Sequence, residues 1–321
     1  MNEYFEPSNS HNTAKKQPSL YSKQADGLEI RAPRYVRPRF FKRGQLKENA
    51  VVIFFHVPKT GGSTISHGLS QILTIQYLRP IGKKWSTYKD KIDQLCSTRP
   101  FLGNRIKTVV LEIHTLAPVF MNLQDQLQIW RVNAASNGIE LFVFTNLREP
   151  VSWAVSAFNY HHRRVASLSI LNGTNEALRQ VSPNNPQCEF LLRSYKYKAA
   201  PEKRFSPKQE ECNSVFNAMK TQMDFVGSTD HLKETTDILH FLLDLPKNFT
   251  FTHEKSAGQD KTLLPLRYEQ LSDETIQYLC NISLLDYELY ANSHEEWSVK
   301  MEGFVSRQRI HTLGRQGLLT C

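Results

Sequence analysis

The apolar positions fall into short blocks. Val51-Val52-Ile53-Phe54-Phe55 is a continuous apolar run rich in β-branched and aromatic residues. Such a run predicts a strand buried on both faces. A glycine-rich turn follows, and from Ser63 to about Tyr77 the positions Ile65, Leu69, Ile72, Leu73 and Gln76 keep helical spacing. Further strands are predicted at 106–113, ending before His114, and at 140–145, ending before Asn146-Leu147-Arg148. A helix is expected over 122–136. Pro150 suits a first helical turn, so another helix should run from there through Tyr160. Residues 163–221 read as helices and loops, and Phe225-Val226-Gly227 as a short strand. Helices are expected at 230–243, 273–280 and 283–292. Strands alternating with helices imply an α/β fold, a central parallel sheet flanked by helices.

The ends differ from this middle. Residues 1–30 are polar and read as a flexible arm. Residues 31–43 hold six Lys or Arg, three aromatics and no acid. The expected organisation is a basic N-terminal arm over 1–49, one domain over 50–297 and a basic tail over 298–321.

Composition narrows the class. The chain has 321 residues, 40% of them hydrophobic and 22% charged, which excludes wholesale disorder. No stretch approaches eighteen apolar residues, so no membrane-spanning helix is expected. The opening Met1-Asn2-Glu3-Tyr4 lacks a signal pattern. Forty Lys plus Arg against 31 Asp plus Glu give a net charge of +9, which favours anionic partners. The five cysteines are Cys96, Cys188, Cys212, Cys280 and Cys321. None lies in a CxxC or a zinc-type cluster, so no metal site is expected. Three Asn-X-Ser/Thr sequons, at Asn172, Asn248 and Asn281, are about what chance supplies.

The chemistry is concentrated in the turn after the first strand. Lys59-Thr60-Gly61-Gly62-Ser63-Thr64 stands between an apolar strand and an amphipathic helix. Gly61 and Gly62 let the backbone curl, and the helix start adds free N–H groups and its positive dipole end. Lys59 adds a cation, and Thr60, Ser63 and Thr64 add hydroxyls. This is a phosphate site, but not a Walker A loop, because the lysine precedes the glycines. A second element begins at Arg148. An Arg offers phosphate a planar donor fork, and Ser156, eight residues on, can return to the same side. His114, at the end of the 106–113 strand, sits where parallel sheets place ligands. Strand alternation puts Glu112 on the same face as His114. His56 reads as packed structure.

The segments His56-Val57-Pro58-Lys59-Thr60-Gly61-Gly62-Ser63-Thr64 and Leu147-Arg148-Glu149-Pro150-Val151-Ser152 through Ser156-Ala157-Phe158-Asn159-Tyr160 resemble the cofactor loops of sulfotransferases that use 3′-phosphoadenosine 5′-phosphosulfate (PAPS). Within them the chain is similar to the Golgi carbohydrate branch, near the heparan sulfate 2-O- and 6-O-sulfotransferases. The resemblance covers about residues 50–293 and includes Phe225–Glu234 and Leu284–Tyr290. It implies a P-loop-like domain and PAPS as co-substrate. Lys59, Thr60, Gly61, Gly62, Ser63 and Thr64 would hold the phosphosulfate, Arg148 and Ser156 the 3′-phosphate, and Lys255 and Gly258 a third contact. It also implies His114 as the base, with Glu112 its competitor, and Lys59 as a catalytic cation. The family carries bridges in the insertion that holds Cys188 and Cys212, which implies a disulfide between them.

The resulting expectation is sulfuryl transfer to a hydroxyl of an anionic glycan, with no metal and no nucleic-acid partner. The setting would be the Golgi lumen if an N-terminal membrane anchor is missing from this sequence, and the cytoplasm otherwise. The alternatives are a P-loop kinase of nucleotides or small molecules, and a non-enzymatic protein that binds anionic glycans.

Overall fold

The computed structural model describes residues 42–80, 85–97, 106–114, 118–161, 174–193, 205–252 and 265–305, with side chains at all but 161 and 298–305. The strands are β1 (Ala50–Phe55), β2 (Ile75–Leu78), β3 (Thr108–Ile113), β4 (Glu140–Leu147) and β5 (Phe225–Ser228). They form one parallel sheet in the order β2-β3-β1-β4-β5. Every residue of β1 is buried, as its unbroken apolar run requires. Phe54 of β1 lies opposite Glu112 of β3 on one side and Phe144 of β4 on the other. The chain builds outward from β1 first through β3 and later through β4. The carboxyl end of β1 is therefore a topological switch point, where open parallel sheets bind ligands.

Helices α1 (Gly62–Ser70), α2 (Trp85–Ser97), α3 (Gln124–Ser136) and α4 (Pro150–His161) accompany the first four strands. Next come α5 (Thr174–Val181), α6 (Pro186–Leu192) and α7 (Gln209–Gln222), then α8 (Leu232–Leu243), α9 (Asp273–Ile282) and α10 (Leu284–Val305). The main core surrounds the sheet. A second cluster packs Val151, Trp153 and Phe158 of α4 against Leu178 of α5 and Leu279 of α9. Cys188 of α6 and Cys212 of α7 form the expected disulfide. Cys96 is free and buried.

The helix expected over 63–77 is corrected. It stops at Ser70, and Ile75–Leu78 is the edge strand β2. The amides of Gln71 and Ile72 close tight turns onto Gly68 and Leu69. The next apolar residues then pair with β3, Ile75 opposite Thr108 and Leu78 opposite Leu111. Ladder pairing to an open sheet edge outcompetes one more helical turn. Helix α2 was absent from the sequence reading, although Trp85, Tyr88, Ile92 and Leu95 keep helical spacing. Helix α10 continues to Val305, well past the expected end at 292 and past residue 297. At the other end the chain joins the domain before residue 50. Leu46 is fully buried, its amide donates to Leu242 O at 2.8 Å and its carbonyl accepts from Thr108 Oγ1 at 2.5 Å.

Candidate active site

The turn after β1 curls through two left-handed positions, Lys59 (φ 67°) and Gly61 (φ 78°). The left-handed region is costly for Lys and easy for Gly. What holds the strained Lys59 is visible in the carbonyls. Pro58 O accepts from Trp153 Nε1 at 2.7 Å, Lys59 O from Arg148 Nη1 at 3.2 Å, and Thr60 O from Asn146 Nδ2 at 2.6 Å. Three successive loop carbonyls are thus each taken by a side chain of the β4–α4 segment. Helix α1 then starts at Gly62 with no side-chain cap and no acid in its first turn. The Thr64 amide donates to Gly61 O at 3.1 Å, but those of Gly62 and Ser63 have no intrahelical acceptor, and the positive end faces the turn, the arrangement that suits an anion.

Gly62 is required for a different reason. A Cβ there would lie 2.0 Å from His56 Cδ2, so only glycine lets the imidazole pack against the helix start. Thr60 is corrected in one respect. Its side chain is fully buried and donates to Val57 O at 2.8 Å, so the hydroxyl braces the loop instead of facing a ligand. Ser63 is exposed and Thr64 buried.

Two cations converge beside this turn. The Lys59 ammonium lies 4.0 Å from the ring centroid of Tyr160. Burial, and secondarily the Arg148 charge, push its pKa down to about 8. Burial likewise lowers the Arg148 pKa, against the opposing charges of Asp230 and Glu149. Arg148 Nε is buried and has no hydrogen-bond partner among the described residues. Ser156 lies three residues after Trp153 and four before Tyr160 in α4. Those two side chains both touch the turn, so helical spacing puts Ser156 on the same face. Lys59, Gly61, Gly62, Arg148 and Ser156 therefore come together around one helix start. Lys255 and Gly258 lie outside the described residues.

On the β3 side Glu112, although on the same strand face as His114, bonds other residues. Glu112 Oε1 bonds His56 Nδ1 at 2.5 Å. Its other oxygen accepts from Tyr77 Oη at 2.8 Å and faces Arg79 Nε at 3.4 Å. Glu112 is fully buried, and although burial raises its pKa, these partners together hold it below the ordinary carboxylate value. A carboxylate so enclosed supports the site and is not the group that meets an acceptor. His114 stacks on His56, with ring centroids 4.2 Å apart, and meets the edge of Phe190 at 6.4 Å. Its pKa is driven down to about 3, first by burial and then by His56. Nδ1 is buried and without a partner among the described residues.

Sequence reasoning missed Tyr77, at the end of the supposed long helix, and Arg79 just beyond it, and treated His56 as packing alone. It also gave no role to Asn146 and Trp153, whose positions around the Arg148 motif were the available signal.

No curated protein matches. Among solved structures, a crystal structure of a sulfotransferase from Alicyclobacillus acidocaldarius matches at 13% identity and a TM-score of 0.32, over 82% of this chain and 97% of that one. A likeness so slight carries no argument. The model of the Sulfotransferase family, in contrast, matches residues 45–292, from the segment before β1 through all of α9 and into α10. That span contains the curled turn, both half-buried cations and the histidine pair, and over it the chain belongs to the sulfotransferase family.

Proposed function

We propose that this sulfotransferase moves a sulfuryl group from PAPS to a hydroxyl of an anionic glycan. The observation that carries the reading is the juxtaposition at the end of β1. Lys59 and Arg148 are half-buried beside an uncapped helix start, and His114 follows the last residue of the neighbouring strand β3. The residues fit the co-substrate. The buried Arg148 Nε and the amides of Gly62 and Ser63 are donors without acceptors among the described residues, and both match phosphate oxygens.

The α1 amides, Gly61, Gly62, Ser63 and Lys59 would hold the 5′-phosphosulfate, and Arg148 with Ser156 the 3′-phosphate. Thr60 would contribute through its backbone, Thr64 from the first turn of α1, and Lys255 and Gly258 through a further contact. When bound, PAPS supplies an activated sulfuryl group with a good leaving group. His114, neutral at physiological pH, takes the acceptor hydroxyl's proton at Nε2, with Nδ1 carrying the ring hydrogen. The oxygen–sulfur bond to the acceptor forms as the bond to the leaving phosphate breaks. The Lys59 ammonium stabilises the negative charge that builds on that leaving oxygen. Glu112 fixes His56, and His56 provides the surface on which His114 stacks.

Net charge supports an anionic acceptor. The basic run Arg31, Arg34, Arg37, Arg39, Lys42 and Arg43 and the cluster Arg307, Arg309 and Arg315 exceed what one cofactor needs. Arg43 is partly accounted for, since it pairs with Asp244 at 2.8 Å. We also propose an oxidising, Golgi-type lumenal setting, which the Cys188–Cys212 bridge supports. The test is transfer of labelled sulfuryl from PAPS to a uronate polymer and to its carboxyl-reduced form, across ionic strength. Preference for the uronate polymer, falling with salt, supports the reading. Equal, salt-independent rates would show that a neutral sugar is recognised.

A further inference from the structure

Arg148 follows the last residue of β4, where the sheet no longer supplies a partner strand. Beyond the Leu147–Ser228 pair, β5 turns away. Another group holds the Arg148 backbone. Its N–H donates to Gln187 Oε1 at 2.9 Å, and its carbonyl accepts from Gln187 Nε2 at 2.7 Å. One side-chain amide thus satisfies both backbone polar groups of one residue, as a neighbouring strand would.

Gln187 is itself immobilised. It is 1% exposed and sits at the start of α6, next to the bridged Cys188. The amides of Gln187 and Cys188 donate to the two carboxylate oxygens of Asp286 in α10, at 2.9 and 2.8 Å. Asn185, in the left-handed conformation, accepts from the Leu285 and Asp286 amides. Among the described residues, the Arg148 side chain is tied to the curled turn through its bond to Lys59 O. The backbone clasp therefore determines where the guanidinium emerges.

We propose that Gln187 is a positioning residue for the nucleotide 3′-phosphate, acting through the Arg148 backbone. This rests on the reading of Arg148 as the 3′-phosphate ligand. The inference has a selective signature. A general packing defect would weaken every nucleotide alike, whereas loss of the clasp weakens only nucleotides that carry a 3′-phosphate.

The experiment is calorimetric titration of the full chain with 3′-phosphoadenosine 5′-phosphate and with adenosine 5′-phosphate. Wild type, Arg148→Ala, Gln187→Leu and Gln187→Glu are compared. Gln187→Leu should reduce affinity for the bisphosphate about tenfold, the scale of two neutral hydrogen bonds, and leave adenosine 5′-phosphate within about twofold. Gln187→Glu keeps an acceptor for the Arg148 N–H but sets a carboxylate against its carbonyl. Its bisphosphate affinity relative to wild type should be low at pH 8 and recover at acidic pH, where the protonated acid donates as the amide did. If Gln187→Leu does not fold, the pH-dependent recovery in Gln187→Glu decides. Loss of 3′-phosphate discrimination in Arg148→Ala, with full discrimination at all pH values in the Gln187 variants, overturns the role of Gln187 alone. Unchanged discrimination in Arg148→Ala overturns the reading of Arg148, and this inference with it.

Discussion

Two groups of charge flank the end of β1, one half-buried and one fully buried, and they are built in opposite ways. On the β4 side are Lys59 and Arg148, neither with a carboxylate in ion-pair range among the described residues. The acids near Arg148 are engaged elsewhere: Asp230 accepts from Tyr290 Oη at 2.8 Å, and Glu149 from Tyr287 Oη and the Val151 and Ser152 amides. On the β3 side is Glu112, an acid enclosed by His56, Tyr77 and Arg79. Burying a charge without a partner is costly, and burying one with several hydrogen bonds is tolerable. The first group is thus arranged to receive an anion. The second is finished, and its product is the orientation of His114.

The comparison predicts different failures on the two sides. The largest loss should come at the reacting atoms. His114→Ala should lower kcat by about 10²–10⁴, the usual share of a general base, and leave cofactor affinity near wild type. Lys59→Ala should lower kcat by about 10²–10³ and weaken binding of 3′-phosphoadenosine 5′-phosphate much less, because the charge it meets builds up in the transition state. Single-turnover rates beside calorimetric affinities separate these effects. Equal losses in both would make Lys59 a ground-state anchor.

The Cys188–Cys212 bridge supports both sides through α6, whose Gln187 holds Arg148 and whose Phe190 meets His114. It spans a sequence separation of 24, and its removal in Cys188→Ala should cost about 3 kcal/mol in the chain-entropy picture. Denaturant melts with and without reductant measure this. Arg148→Ala should weaken the bisphosphate by about 1.5–3 kcal/mol, the scale of a hydrogen bond to a charged group.

The smallest predicted effect concerns pH. Lys59 must be protonated to act, and its pKa is about 8 in the free protein. The kcat/KM profile should therefore fall as pH rises through about 8. The fall in kcat should come at higher pH, because a bound anion restores the proton. His114, with a pKa near 3, gives no loss of base between pH 5 and 8. Lys59→Arg should remove the alkaline fall, whatever its effect on rate.

The β4 side was legible in the sequence because its parts are local. The turn at 56–64 and the segment at 146–156 are each continuous, and residue type and spacing announce them. The β3 side was not. Glu112 meets His56 because β1 and β3 share a register, and Tyr77 and Arg79 reach Glu112 because 75–78 joins the sheet edge. Apolar spacing through Gln76 fits a helix equally well, so nothing local revealed that strand. Gln187 was invisible for the same reason: its partner is 39 residues away, and a lone glutamine carries no pattern.

The most direct test of the central contrast is competitive titration of the intact chain with 3′-phosphoadenosine 5′-phosphate and with ATP plus Mg²⁺. The half-buried cations of the β4 side, without ion-paired carboxylates among the described residues, predict one tight site for the bisphosphate that needs no metal, largely lost in Arg148→Ala and kept in Glu112→Gln. Tighter binding of ATP with Mg²⁺, or bisphosphate affinity indifferent to Arg148, would contradict it.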